Sequence, residues 1–194
     1  MSTPKLFNAR HRVCPWWLGY LLASPLRRLL QRPEEILSPY VSEGMHALDV
    51  GCGMGFFSLP LAGFVGKAGK VVCVDVQERM IEGLMRRARK AGLSEIIDAR
   101  TCRPDSLVLH DITGTIDFAL AFAVVHEVPD KDRLFVEIRD TMKKTGKLLF
   151  AEPAAHVTEK NFSMTLSIAQ RTGFDVIADL DVRRSQARLL AKRQ

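Results

Sequence analysis

The feature that most constrains this chain is a glycine-rich turn directly after a short apolar run. Residues 46–50 predict a strand, and Asp49, Gly51, Gly53 and Gly55 lie at or just beyond its end. Glycine suits such a strand-to-helix junction, because the backbone turns sharply and passes close to a ligand with no Cβ in the way. The first turn of the next helix also presents N–H groups without partners inside the helix. These residues therefore predict a ligand-binding loop in an α/β protein.

The glycine spacing indicates which ligand the loop binds. The pattern is G-x-G-x-G, whereas the dinucleotide-binding loop uses G-x-G-x-x-G. Asp49 precedes the first glycine, and its carboxylate would repel a pyrophosphate but attract the cationic amino group of a methionine moiety. The loop therefore favours S-adenosylmethionine over a pyrophosphate cofactor.

The pattern from residue 45 onward alternates short apolar runs with amphipathic stretches. This is typical of an α/β, Rossmann-like doubly wound, mostly parallel seven-stranded sheet with helices on both faces and an antiparallel C-terminal strand. The predicted strands are residues 46–50, 70–75, 96–101, 116–122, 145–151, 174–178 and 185–191. The predicted helices are residues 56–65, 78–91, 129–142 and 158–171, and residues 143–146 are predicted to form a turn.

The N-terminal segment is expected to be part of the same domain. Residues 1–44 are predicted to form lid helices, at residues 16–30 and 33–40, over a cofactor-binding core at residues 45–194. Residues 1–33 contain six basic side chains and no acidic one, against a net charge of +6 for all 194 residues. Such a segment is either a solvated surface or an attraction for an anionic substrate, a membrane surface or nucleic acid.

The composition of the chain disfavours several classes of protein. The chain is 47% hydrophobic and 26% charged, and its four cysteines lack CxxC spacing, so neither a disulfide framework nor a metal site is expected. No apolar run is long enough to span a membrane, and the N-terminus lacks a signal-peptide pattern, so we expect a cytoplasmic protein. A nucleic-acid substrate is disfavoured, because no aromatic-and-basic recognition motif is present. No pattern favours one oligomeric state.

A second acidic residue follows the second predicted strand. Asp75 ends the run of residues 71–74, and its strand should lie next to the strand that carries Asp49. A carboxylate there can accept hydrogen bonds from both ribose hydroxyls of an adenosine cofactor. The alternative is that Asp75 caps the helix that begins near Glu78, and the two roles are compatible.

Residues 47–62 and 71–80 resemble the first two motifs of class I S-adenosylmethionine-dependent methyltransferases. Within that class the chain is similar to the methyltransferase type 11 group, which includes ubiquinone and menaquinone biosynthesis methyltransferases and arsenite methyltransferase-like proteins. The resemblance implies that the loop residues contact the methionine part, that Asp75 contacts the ribose, and that three residues after it flank the adenine. The implied cofactor residues are Asp49, Gly51, Cys52, Gly53, Gly55, Asp75, Val76, Gln77 and Met80.

The chain departs from this family after the third strand. Many relatives have an acidic residue there that binds the adenine amino group, whereas Cys102 stands at this strand end and Asp105 comes three residues later. Cys102, the backbone of Arg103, or Ser106 would then make the contact with adenine.

Residues 117–130 resemble the fourth-strand motif of the same family. The resemblance places Ala121 and Phe122 beneath the methionine part and the sulfonium, with His126 and Glu127 at the mouth of the substrate pocket. A histidine there is either a general base or a group that orients the loop or the cofactor, and Glu127 is either catalytic or a solvated acid. The substrate side is completed by Glu152, Trp17 and Tyr20.

The predicted activity is transfer of a methyl group from S-adenosylmethionine to a small-molecule acceptor by in-line displacement, with S-adenosylhomocysteine as the product. The alternative is a module that binds the cofactor without doing chemistry. A dinucleotide-dependent oxidoreductase would need a catalytic Tyr–Lys pair, and both tyrosines, Tyr20 and Tyr40, precede the sheet. The tryptophans and leucines of the basic N-terminal segment are compatible with a peripheral membrane contact and an amphiphilic acceptor. They are equally compatible with a lid over a small, soluble acceptor.

Overall fold

The apolar runs form a seven-stranded sheet in the computed structural model, which describes residues 31–193. The strands are β1 (His46–Val50), β2 (Lys70–Asp75), β3 (Ile97–Thr101), β4 (Ile116–Phe122), β5 (Met142–Pro153), β6 (Phe174–Val182) and β7 (Ser185–Lys192). Their order is β3-β2-β1-β4-β5-β7-β6, with β1 to β5 parallel and β7 antiparallel to both β5 and β6. The predicted fold class is confirmed.

The structure describes five helices, and a side chain caps the start of two of them. They are α1 (Pro33–Leu37), α2 (Ser58–Val65), α3 (Glu78–Lys90), α4 (Lys131–Thr141) and α5 (Glu159–Arg171). The side chain of Asp130 accepts a hydrogen bond from the N–H of Arg133, and that of Thr158 accepts one from Asn161, so each caps a helix. Gly92 and Gly173, which follow α3 and α5, both have positive φ.

The sheet separates two apolar cores. On one face Leu61 of α2 and Leu84 of α3 pack against alternate residues of the strands, including Phe118. On the other face Phe135 of α4 and Phe162 of α5 pack against the intervening residues. Both cores are fully buried at these positions. Helices on both faces leave the carboxyl edge of the sheet as the place for a ligand.

Several predicted boundaries were wrong. The turn predicted at residues 143–146 belongs to β5, which starts at Met142 directly after α4; these residues lie where the pairing of β4 with β5 shifts register. The helix predicted from residue 56 begins at Ser58, because Phe56 and Phe57 belong to the turn before it and the Phe57 ring packs 4.5 Å from that of Phe122. The helix predicted for residues 33–40 ends at Leu37, and β6 continues to Val182.

The strand order brings four carboxyl ends together. β1 lies between β2 and β4, and β5 follows β4, so the loops after these four strands share one edge of the sheet. The chain crosses from one side of β1 to the other between β3 and β4, which is the type of switch point where open α/β sheets bind ligands. The predicted lid helix at residues 16–30 lies outside the described residues. The division at residue 44 therefore stays a prediction.

Candidate cofactor and acceptor site

The loop after β1 uses its three glycines in two different ways. Gly51, Gly53 and Gly55 have φ of +70°, +52° and +80°. A Cβ at Gly51 would lie 2.3 Å from a methyl carbon of Val124, and a Cβ at Gly55 would lie 2.3 Å from one of Leu84. A Cβ at Gly53 would meet no atom within 4 Å. The outer glycines are therefore required for packing, whereas the middle one borders open space.

Asp75 braces this loop from the end of β2. One carboxylate oxygen accepts a hydrogen bond from the N–H of Gly53 at 3.0 Å, and the other accepts one from the N–H of Gln77 at 2.9 Å. Burial raises the pKa of Asp75, and these backbone N–H groups oppose that rise. A carboxylate can accept about four hydrogen bonds, so it retains capacity for a ligand hydroxyl.

Asp49 is the second acid of this half of the site. It is buried, and one carboxylate oxygen accepts a hydrogen bond of 2.6 Å from the hydroxyl of Ser58, the first residue of α2. Asp49 and Asp75 thus place two buried carboxylates beside the glycine loop. Their negative charge is unsuited to a pyrophosphate and favourable for a cationic ligand.

The side chains around Asp75 suit a nucleoside. Val76 is an exposed apolar side chain, 38% accessible, directly after the buried carboxylate. Met80 is buried in α3, and Ala121 and Phe122 are buried at the end of β4. An apolar surface beside a hydrogen-bond acceptor fits adenine next to ribose, and the open space at Gly53 fits a ligand that crosses the loop. The residues present therefore fit S-adenosylmethionine.

Backbone N–H groups of the turn after β3 donate hydrogen bonds to backbone carbonyl groups. The N–H of Cys102 donates to the carbonyl of Asp75, while Arg103 and Ser106 exchange backbone hydrogen bonds of 2.9 and 3.2 Å. Burial and the charge of Asp75 raise the pKa of the Cys102 thiol to about 11, so it is a neutral, buried group. The guanidinium of Arg103 pairs with Asp105 at the surface. The roles of Cys102 and Arg103 at adenine stay predictions.

The loop after β4 is built without glycine. Ala123 has φ of +59°, a conformation that costs a residue with a side chain about 1–2 kcal/mol. Its N–H donates to the carbonyl of Ala151 in β5 at 2.8 Å, which directs the chain toward β5. A single 3₁₀ turn, Val125–Glu127, follows. This bend carries His126 to the end of β5.

Glu152 at the end of β5 holds His126 by two hydrogen bonds. One carboxylate oxygen accepts from the backbone N–H of His126 at 2.9 Å, and the other lies 2.6 Å from its Nδ1. The hydrogen bond with Glu152 raises the pKa of His126, and burial opposes the rise. Nε2 lies 3.9 Å from a carboxylate oxygen of Glu127, and the ring centroid of the exposed His156 is 6.2 Å away.

The sequence reasoning named His126 and Glu152 separately and missed that they form a pair. The available signal was the position of Glu152, which ends the apolar run of residues 148–151. A carboxylate in such a run has to be buried with a partner. Ser58 as the partner of Asp49 was also missed. Trp17 and Tyr20, the other predicted substrate-side residues, lie outside residues 31–193.

Two further observations concern the described residues. Among residues 31–193, no group of three or more His, Cys, Asp or Glu side chains is placed to hold a metal ion. Over the same range, no helix combines the length and apolar character needed to cross a bilayer.

A separate cleft of about 570 Å³ lies between α1 and the turn that joins β6 to β7. Its walls combine apolar with charged side chains. The lining residues are Gln31, Arg32, Glu35, Ile36, Pro39, Tyr40, Leu180, Asp181, Val182 and Arg183. Because Val182 pairs with Ser185, and Ser185 with Pro153, one end of the cleft lies at the carboxyl edge of the sheet.

Comparison with known proteins assigns the family. Residues 41–187 match a family described as a methyltransferase domain. The chain belongs to this family. A SAM-dependent methyltransferase from Aquifex aeolicus has a similar structure, with a TM-score of 0.81, 26% identity, and 91% of this chain and 97% of that chain covered. The resemblance of this methyltransferase chain to the class I S-adenosylmethionine-dependent enzymes is confirmed.

Two curated relatives differ in what they act on. The chain is 32% identical over 160 residues to a ubiquinone biosynthesis O-methyltransferase of Methylocella silvestris, covering 81% of this chain and 59% of that protein. It is 41% identical over 90 residues to a 23S rRNA (uracil(1939)-C(5))-methyltransferase of Acinetobacter baylyi, covering 46% of this chain and 19% of that protein. The chain thus spans about three fifths or less of the length of these relatives.

Proposed function

We propose that this protein transfers a methyl group from S-adenosylmethionine to a small-molecule acceptor by in-line displacement, with release of S-adenosylhomocysteine. The observation that carries the proposal is the hydrogen bond between Asp75 and the N–H of Gly53, which joins the ribose and methionine parts of the site. When bound, S-adenosylmethionine supplies a methyl group on a cationic sulfur. The chain aligns that group with the acceptor and excludes water from it.

The proposed cofactor contacts follow the carboxyl edge from β3 to β4. Asp75 accepts from the ribose hydroxyls, the exposed Val76 lies on the adenine, and Gly53 leaves room for the methionine part. Asp49 supplies negative charge near the cationic groups. The remaining proposed contacts are Gly51, Cys52, Gly55, Gln77, Met80, Cys102, Arg103, Ala121 and Phe122.

We place the acceptor at the carboxyl ends of β4 and β5. His126, Glu127 and Glu152 are the proposed acceptor-side residues, together with Trp17 and Tyr20 of the N-terminal lid. The relative named for ubiquinone biosynthesis supports an acceptor of the quinone-precursor class. The partly apolar cleft that opens at this edge supports an amphiphilic acceptor, which the basic N-terminal segment would receive from a membrane surface.

The proposed acceptor is not a nucleic acid, and the proposed location of the protein is the cytoplasm. The relative that acts on rRNA matches 46% of this chain, and the sequence has no aromatic-and-basic motif for nucleic acid. An rRNA fragment therefore belongs in the test as a competing acceptor.

The first experiment measures cofactor binding by calorimetry. Wild-type protein should bind S-adenosylhomocysteine, and Asp75→Ala should weaken binding about 100-fold or more, because two hydrogen bonds to a charged group are lost at about 1.5–3 kcal/mol each. Asp98→Ala is the matched control: Asp98 is also an acid on a neighbouring strand, but it pairs with Arg100 away from the carboxyl edge. Absence of binding to wild-type protein contradicts the proposal.

The second experiment follows a labelled methyl group from S-adenosylmethionine into a metabolite extract, into catechol and into an rRNA fragment. Labelled small molecules are the expected products. Labelled RNA alone would overturn the proposed acceptor class. Binding of the cofactor with no labelled product from any acceptor would support the alternative, a module that binds without chemistry.

A further inference from the structure

We propose that His126 removes the proton from a hydroxyl group of the acceptor, and that Glu152 is the positioning residue that holds the imidazole for this step. The inference rests on the proposed function and adds to it the acceptor atom, a hydroxyl oxygen. It is carried by the geometry at the ends of β4 and β5.

The two hydrogen bonds fix the imidazole in place. Glu152 accepts at 2.9 Å from the backbone N–H of His126 and at 2.6 Å from its Nδ1, so one carboxylate holds both the backbone and the ring of the same residue. A carboxylate bound to two groups of one residue leaves the ring little freedom to rotate. Such a ring is preorganised for proton transfer.

The same contact decides which ring nitrogen is available. An ionised carboxylate can only accept, so Nδ1 carries a proton and, in the neutral ring, Nε2 holds the free electron pair. Nε2 lies 3.9 Å from Glu127, beyond hydrogen-bond distance. The His126 side chain is 29% exposed, whereas Glu152 is 1% exposed. The carboxylate is therefore buried in the fold, whereas the imidazole ring is accessible to a ligand.

The surrounding charges make this histidine a stronger base than an ordinary one. Glu152 raises the pKa of His126 through the hydrogen bond and its charge, and Glu127 raises it further. Burial and the charge of Lys131 act in the opposite direction, and the exposed His156 ring lies 6.2 Å away. The balance is a raised pKa, which favours proton removal from a weakly acidic hydroxyl.

The proposed step needs only the acceptor, S-adenosylmethionine and His126. The acceptor hydroxyl gives its proton to Nε2 of His126 while its oxygen bonds to the methyl carbon. The carbon–sulfur bond breaks and its electron pair remains on sulfur. Glu152 then lies against an imidazolium ring, and the proton leaves to solvent from the exposed side of His126.

A base of this kind matters for oxygen and much less for sulfur. A phenolic hydroxyl has a pKa of about 10, whereas a thiol has one of about 8.5 and is partly ionised near neutral pH. A thiolate needs no base to attack a methyl group. The His126–Glu152 pair therefore indicates a hydroxyl-bearing acceptor.

The test compares catechol with benzenethiol as acceptors. His126→Gln should lower kcat for catechol about 10²–10⁴-fold but change methylation of benzenethiol by less than about tenfold. Glu152→Gln should lower kcat for catechol by a smaller factor and move the acid limb of kcat/KM to lower pH, because the charge that raises the pKa of His126 is gone. His156→Gln, which removes a neighbouring ring that Glu152 does not bind, should shift this limb less.

A second measurement requires no variant. Nitrogen NMR of histidine-labelled protein bound to S-adenosylhomocysteine should show neutral His126 with its proton on Nδ1. A proton on Nε2, an acid limb unchanged in Glu152→Gln, or methylation of benzenethiol without catechol would each overturn the inference. Failure of the proposed function looks different, since wild-type protein would then methylate neither acceptor, and the inference would fail with it.

Discussion

At the ends of β1 and β2 the candidate site is made largely of backbone, whereas at the ends of β4 and β5 it is made of side chains that are 26 residues apart. The cofactor half places Gly53 against a carboxylate that binds backbone N–H groups. The acceptor half places one imidazole on one buried carboxylate. The difference teaches that a local backbone motif is enough to indicate the cofactor that the family shares. The contact of His126 with Glu152, in contrast, forms only when folding brings two distant segments together.

The largest expected effect concerns the unequal glycines of the cofactor half. Gly51→Ala should lower the free energy of unfolding by about 2–4 kcal/mol, because the new methyl group both strains a positive φ and overlaps Val124. Gly53→Ala should cost only about 1 kcal/mol from φ, yet weaken S-adenosylhomocysteine binding more than tenfold by filling the open space. Urea unfolding and calorimetry measure the two quantities.

Gly55→Ala is the control for this pair, since its methyl group would overlap Leu84 and should behave like that of Gly51. Equal stability losses at Gly51 and Gly53, or undiminished binding by Gly53→Ala, would remove the distinction between packing and ligand-facing glycines.

A smaller expected effect is the dependence of stability on pH, which differs between the two halves of the site. Both Asp75 and His126 have raised pKa values, but burial is the cause for Asp75 and the charge-assisted contact with Glu152 is the cause for His126. Because the folded pKa of His126 exceeds the unfolded one, its contribution to stability is fully present below the unfolded value of about 6.5 and is lost as pH rises through the folded value.

Unfolding of His126→Gln measured across this pH range should therefore differ from wild type most at low pH and least at high pH. Glu152→Gln is the matched control, because it removes the same pH-dependent share from the other partner. A difference that grows as pH rises would show that the pair is not held by charge.

The smallest effect concerns the strained residue of the acceptor half. Ala123→Gly should raise the free energy of unfolding by up to about 1 kcal/mol, because glycine adopts the positive φ without strain while losing some freedom on folding. Ala119→Gly, in the buried middle of β4, should instead lower it. Thermal unfolding of both variants checks the opposite signs, and a destabilised Ala123→Gly would contradict the account of strain.

The predictable parts of the fold are those decided by local pattern. β2 and β4 have the predicted bounds because each is one apolar run between turn residues. The predicted start of β5 was wrong because Lys143 to Gly146 have the composition of a turn. They belong to the strand only because Met142 and Lys147, on either side of them, pair with β4. In the site, the sequence indicated Asp75 and the glycine loop. The pairing of His126 with Glu152 requires β4 and β5 to be neighbours, which no local pattern states.

The hydrogen bond from Gly53 to Asp75 has a thermodynamic consequence for pieces of the cofactor. A nucleoside fragment that binds the carboxylate of Asp75 acts on the same group that orders the glycine loop, and an amino-acid fragment in the loop acts on Asp75 in return. The two fragments therefore influence each other's affinity, and linkage requires the influence to be equal in both directions. At the proposed site, the two halves of the methyl donor would therefore bind with coupled affinities.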